Sequence, residues 1–384
     1  MGIKHEAVKR SCERGYAREW NADHIIDGNV DFAKYQAQNL VLHSGTSFPV
    51  NPVEGQKFYR TDLHKEYTWN GTKWVISGDS LRAATKIVAA SNSIDKEKAD
   101  YVCDGIDDQV EINAAINEVT QTGGRVILLE GMYKLSNPIV LKSAVILEGS
   151  GYGPSWGEYN GTNPAKGTWL TTSREFGPLI SATNIGDAVV RGISTDTREY
   201  DVITFISLSG CNNILIENNQ IAIIEPCINV NNCTDIVIQN NGFWGGLGEM
   251  FNWAIEVNNS TGVRIKNNYI RGGDEYSILV KGTSRFIDVE GNYVTDSRGI
   301  IRFYDSTSDC ILRNNLGSGY ASRILIEGDR IAIVGNVIYG NMMESGLTIA
   351  STADRCTVVG NIIRNTTQNY NNQGTNTAAA GNNF

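Results

Sequence analysis

The sequence predicts an all-β solenoid, and three observations predict it. Short β-branched runs recur at residues 214–219, 236–241, 263–268, 286–292, 311–315, 331–336 and 357–361, each ending in Asn-Asn or Gly-Asn. The final asparagines stand at 219, 241, 268, 292, 315, 336 and 361. A repeat of roughly 20–30 residues, with short strands in every unit, is the mark of stacked coils. A second set of runs follows the corners, at 228–231, 255–258, 278–281, 301–304, 324–327 and 347–350. Their alternation turns Ile, Val and Phe inward and the residues between them outward. The third observation is compositional: 40 glycines and seven prolines in 384 residues suit a turn-rich β chain.

Asparagine at a coil corner has two physical uses. It tolerates the left-handed backbone region. Stacked on successive coils, its amide can also hydrogen-bond up and down the stack.

Taken in order, residues 1–44 are charged and aromatic without core periodicity. They read as an oligomerisation segment that folds against a partner or its own copies. Residues 45–80 form a small β-meander, with Asn70-Gly71 as the hairpin signal between aromatic strands. Trp69, Trp74, Tyr59 and Tyr67 read as its mini-core rather than a carbohydrate platform. Residues 81–364 form the solenoid. The pattern at 107–119, apolar at 112, 115, 116 and 119, predicts an amphipathic helix stopped by Gly123-Gly124. Such a helix caps the first coil, whose edge needs cover. The acidic cluster at 104–108 reads as structural. Residues 152–178 form a long insertion carrying Trp156, Tyr159, Trp169 and Phe176. Residues 365–384 are polar and read as a tail or as a strand covering the last coil.

From residue 84 to 363 these rows resemble the right-handed parallel β-helix of the pectate-lyase superfamily. The stretch Asp104-Gly105-Ile106-Asp107-Asp108, followed by helix, Gly-Gly and strand, resembles the entry of those β-helices. The stretch Glu19-Trp20-Asn21-Ala22-Asp23-His24 resembles the opening of phage tail and tail-fibre proteins, and the meander resembles a module of such proteins. The resemblance implies a tailspike-like homotrimer on a virion tail, extracellular when acting, with residues 1–44 as its virion-attachment segment. Its partners would be a cell-surface polysaccharide and other virion tail proteins.

A net charge of −9 argues against nucleic acid as a partner. No run reaches ~18 apolar residues, so no membrane insertion is expected, and the first residues show no apolar signal-peptide core. Seven cysteines show no metal-ligand spacing. Cys211 and Cys233 occupy matching places on adjacent coils and read as buried, reduced thiols. No cofactor is expected.

All four histidines precede the solenoid. The histidine motifs of pectin hydrolases and alginate epimerases on this fold are therefore absent, and catalysis would rest on carboxylates, Tyr, Lys or Arg. Outward columns run Asn229, Glu256, Leu279, Arg302, Leu325, Thr348 and Asn231, Asn258, Lys281, Tyr304, Glu327, Ala350. With the loops before them, they are expected to gather one face. Its carboxylates, as catalytic candidates, are Glu256, Asp274, Glu275, Asp296 and Glu249. Its substrate-binding candidates are Trp244, Trp253, Tyr276, Lys281, Arg298, Arg302 and Tyr304. A carboxylate pair would hydrolyse a glycosidic bond. Lys281, Arg302 or Tyr304 could instead abstract the proton beside a uronate carboxylate, as in a lyase. A third reading makes these charges surface ladders that serve solubility in a non-catalytic adhesive protein.

Overall fold

The computed structural model describes residues 42–77, 84–151, 166–172, 176–195, 204–222, 226–244, 253–273, 275–318, 323–340 and 345–384. The expected attachment segment therefore lies almost wholly outside the described residues, as does most of the 152–178 insertion. The chain divides into two compact units, Met1–Ser77 and Gly78–Phe384.

The first unit holds a four-stranded sheet of Ser44–Gly45, Lys57–Arg60, Lys65–Trp69 and Trp74–Ile76, in that order. Its aromatic residues pack on one another, because a sheet this small has little else to bury. Phe58 is buried, Phe48 stacks on Trp74 at 5.0 Å, and Tyr67 meets Phe48 edge-on at 5.0 Å. Asn70 closes the hairpin by accepting the backbone N–H of Thr72 and of Lys73. The turn is a four-residue loop between the paired Trp69 and Trp74, with Gly71 at φ +91°.

The second unit is a parallel β-solenoid with three walls. Sheet I has thirteen strands, and sheets II and III have ten each. One rung shows the path: Thr234–Gln239 in sheet I, Gly242–Trp244 in sheet II, Ile255–Asn258 in sheet III. Neighbouring rungs pair in register, with one shift between Gly299 and Ile301, so an inward residue stays inward along the columns. Ile238, Ile265, Val289, Leu312, Ile333 and Val358 form one buried column in sheet I. Val230, Val257, Val280, Phe303, Ile326 and Ile349 form another in sheet III. These columns share a single core that runs through the solenoid.

The corner between sheets I and II divides its two tasks between two residues. The first residue of each pair takes the left-handed conformation: Asn218, Asn240, Asn267, Gly291, Asn314, Gly335 and Gly360 have φ between 52° and 67°. The second asparagine points inward. Asn219 Nδ2 donates to Asn241 Oδ1 at 3.0 Å, and the same bond repeats from 241 to 268, 292, 315, 336 and 361. Each of these asparagines is at most 2% exposed. Their burial is tolerated because each amide is fully partnered.

The helix Gln109–Val119 closes the N-terminal end, burying Ile112, Ala115, Ile116 and Val119. Asp108 is wholly buried, and its carboxylate accepts the backbone N–H of Gly105 and of Lys134. It ties the helix to the first rungs, as the structural reading of the acidic cluster requires. At the other end, Tyr370–Asn372 extends sheet III and Ala378–Ala380 extends sheet I. Asn382 adds an eighth member to the ladder by accepting from Asn361 Nδ2. The last twenty residues are thus a further rung. The six described cysteines are free and buried, and Cys211 N–H donates to Cys233 Sγ at 3.3 Å.

Candidate functional site

The outward face of sheet III carries the columns read from the sequence. Asn229, Glu256, Leu279, Arg302, Leu325 and Thr348 follow one another rung by rung. Lys281 pairs with Asn258 in the next column. These outward positions are not all exposed. Glu256 is 8% exposed and Leu279 3%. Tyr276, Leu279 and Leu325 form a satellite core on the outside of the sheet, with Trp253, Tyr304 and Ala350 packed against it.

Two ion pairs on this face join adjacent rungs. Lys281 Nζ lies 2.9 Å from Glu256 Oε1. Arg302 forks onto Glu327 through Nε at 2.9 Å and Nη2 at 3.0 Å. The Arg302 guanidinium also lies over the Tyr304 ring, 4.0 Å from its centroid. Burial works against the Arg302 charge, but the hydrogen bond and charge of Glu327 outweigh it and hold its pKa above the ordinary value. Arg323 stands 5.4 Å over the Tyr276 ring. The indole Nε1 of Trp253 is buried without a hydrogen-bond partner among the described residues.

The remaining candidates divide. Trp244 and Asp296 belong to sheet II and its exit, not to this face. Asp296, at φ +55°, binds Arg271 Nε at 3.1 Å, and the Arg271 guanidinium lies 6.0 Å from the Trp244 ring. Glu275 and Arg298 are exposed at the entries to sheet III. Glu249 and Asp274 lie outside the described residues. The single face read from the sequence is therefore two groups of side chains on adjacent walls.

Sequence reasoning missed the second group's best feature. Trp244, Tyr269 and Tyr293 form a column of rings on successive rungs, with centroids 5.1 and 5.4 Å apart. Gly242 makes room for it: a Cβ there would meet Trp244 Nε1 at 3.2 Å. The signal was present, since both tyrosines directly follow ladder asparagines, Asn268 and Asn292.

A family described as "Periplasmic copper-binding protein (NosD)" matches residues 167–384, more than half of the chain. The chain belongs to the NosD family. Among solved structures, it is similar to the ORF18 protein of Geobacillus virus E2, with 14% identity and a TM-score of 0.55, covering 86% of this chain and 70% of that one. A mutant tailspike protein of E. coli bacteriophage HK620 shares 13% identity at a TM-score of 0.52, over 81% of this chain and 65% of the other. A mutant DFA-IIIase of Arthrobacter chlorophenolicus A6, in complex with DFA-III, shares 14% at 0.52, over 72% and 75%. At such identities the likeness is one of fold, and it bears out the parallel β-helix. No curated protein sequence matches the chain significantly.

Proposed function

We propose that this NosD-family chain is a virion tail-associated, tailspike-like protein whose sheet III face binds a host cell-surface polysaccharide. The single observation that carries this reading is the paired, partly buried polar face itself. Glu256–Lys281 and Arg302–Glu327 present fixed hydrogen-bonding groups beside Trp253, Tyr276 and Tyr304. Pre-set ion pairs with aromatic neighbours suit hydroxyl-rich ligands: the polar groups need no reordering to bind, and the rings offer flat apolar surface. The viral proteins of similar fold support the tail location and a homotrimer alongside other tail proteins.

A second reading, depolymerisation of that polysaccharide, is favoured by one observation: Glu256 is an outward carboxylate withdrawn from solvent. Hydrolysis needs a second carboxylate ~5–9.5 Å away. Glu327 cannot supply it, because three rungs of ~4.8 Å put it about 14 Å off. The partner would come from Glu249, Asp274 or Glu275; Asp296, on the exit of sheet II and held by Arg271, is set aside. Of the two chemistries, hydrolysis is preferred to elimination. Lys281 and Arg302, the cations a lyase would use, are both engaged with carboxylates.

Copper, which the family's description names, does not fit the described residues. The matched span has no histidine. Its described cysteines point into the core, where the thiols of Cys233 and Cys310 donate to the backbone carbonyls of Asn231 and Ser308. The one described group with metal-capable spacing, Cys103–Asp108–Glu111, precedes the matched span.

The test is purified host polysaccharide, with binding read by calorimetry and cleavage by reducing ends and by ultraviolet absorbance of an unsaturated product. Binding without release supports an adhesive role. Release lost in Glu256→Gln with binding kept supports the hydrolase. Binding unaltered by Arg302→Ala and Lys281→Ala together would remove sheet III from consideration.

A further inference from the structure

The outward face of sheet II carries a strip of rings with a polar edge. In its register Gly242, Tyr269, Tyr293 and Leu316 form one outward column, and Trp244, Arg271, Thr295 and Ser318 form the next. The Trp244 ring lies 5.1 Å from that of Tyr269, which lies 5.4 Å from that of Tyr293. Three rings thus follow one another at the rung spacing of about 4.8 Å. Tyr293 is 38% exposed.

The strip is built at a local cost. Glycine inside a strand weakens it and packs nothing, and Gly242 stands at the start of the ring column. A Cβ there would meet Trp244 Nε1 at 3.2 Å, and that indole N–H is buried without a hydrogen-bond partner among the described residues. A phenylalanine or leucine at 244 would cover the strand without stranding a donor. Two departures from local stability on one rung single out a place where function outweighs packing.

The polar edge is already ordered. Tyr293 Oη lies 3.3 Å from Ser318 Oγ, which donates to Thr295 Oγ1 at 3.4 Å. Arg271, 6.0 Å from the Trp244 ring, donates through Nε to Asp296 Oδ2 at 3.1 Å. Hydroxyls both donate and accept, as those of a sugar do, and the rings beside them offer flat apolar surface. Arg271 and Asp296 cancel one another, so the strip suits a neutral ligand rather than an acidic one.

We propose that the outward face of sheet II is a second carbohydrate site, a stacking strip for neutral saccharide chains lying along the solenoid axis. One sugar unit spans close to one rung, so successive units meet successive rings. The site lies on a different wall from Glu256 and Lys281 and does not rest on the sheet III reading.

The experiment titrates the full chain, by calorimetry, with cellohexaose, maltohexaose and chitohexaose, and with hexagalacturonate as the acidic control. At least one neutral hexamer should bind, and more tightly than hexagalacturonate. Tyr269→Ala should weaken that binding about tenfold. Leu316, 40% exposed, is the next outward residue after Tyr293. Leu316→Tyr therefore adds a ring to the strip and should tighten binding severalfold. The two variants move in opposite directions, which a folding defect does not produce. Overturning results are no binding by any neutral hexamer, tighter binding of hexagalacturonate, or unchanged affinity in either variant. Binding lost in Lys281→Ala with Arg302→Ala, and kept in Tyr269→Ala, would also overturn the strip and leave the sheet III reading standing. Hexamer binding weakened by Tyr269→Ala, with host polysaccharide binding untouched by the Lys281 and Arg302 pair of substitutions, would support the strip and remove sheet III.

Discussion

Lys281 Nζ sits 2.9 Å from Glu256 Oε1, one rung away, and supplies the counter-charge for a carboxylate only 8% exposed. Removing one member of such a pair costs more than removing both, because the survivor is left charged in a poorly solvated place. Lys281→Met should therefore destabilise the chain by about 1–3 kcal/mol. Adding Glu256→Gln should recover most of that loss. Denaturant unfolding of both single variants and the double variant measures the coupling, and additive costs would show that the pair does not interact.

The asparagine ladder should be far more sensitive in its middle than at its end. Asn292 Oδ1 accepts the backbone and side-chain N–H groups of Asn268, and its Nδ2 donates to Ile265 O and Asn315 Oδ1. Asn292→Ala removes all four of these bonds in a site 1% exposed and leaves the Asn268 backbone N–H without its acceptor, at a cost of about 3–5 kcal/mol. Asn382 is the terminal member and only part-buried, so Asn382→Ala should cost about 1 kcal/mol. Equal losses would mean that the ladder's bonds carry no stability of their own.

These two contacts show what the sequence could and could not reveal. Register follows from a period of two within strands and from asparagines that recur between them, so the column from Asn229 through Glu256 to Thr348 was legible. The division of work in Asn267-Asn268 was not, because a left-handed backbone and a buried amide look alike as letters. The split of Trp244 and Asp296 from Glu256 was also hidden. It depends on which wall each residue leaves, and the loops between walls do not repeat. Burial of Leu279 beneath Tyr276 and Trp253 was unreadable for the same reason.

The cap should respond to pH through Glu111. Burial raises the Glu111 carboxyl above its usual value, and the charges of Asp104, Asp108 and Asp107 add to the shift. A carboxyl raised on folding holds its proton more tightly in the native state. Its favourable contribution is complete below the unfolded pKa and is lost as pH climbs through the folded one. Glu111→Gln should therefore raise the melting temperature at pH 7 by roughly 1–2 °C and leave it unchanged below about pH 4. Asp309 acts in the opposite sense. Hydrogen bonding from Arg330 lowers it to about 2, so its contribution is present above the unfolded value and fades as pH falls toward 2. A Glu111→Gln difference that persists at pH 3 would mean that packing, not charge, sets the effect.

The ring column on sheet II gives a prediction that separates shape from composition. Trp244 lies back over Gly242, where a Cβ would sit 3.2 Å from its Nε1, and its indole lines up with Tyr269 and Tyr293. Gly242→Val keeps every aromatic residue but pushes its side chain against the indole edge. The ring should tilt out of the column, with a red-shifted and quenched tryptophan emission. The substituted position faces outward on an existing strand, so the rung itself should survive and the melting temperature should move little. If this column adds stacking surface to the proposed glycan-binding wall beside it, polysaccharide affinity should fall about tenfold, close to the loss from Trp244→Ala, since an aromatic contact of about 1–1.5 kcal/mol is removed in both. Calorimetry on the two variants decides the matter. Full affinity in Gly242→Val, with the emission shift confirming that the ring has moved, would confine sugar recognition to sheet III.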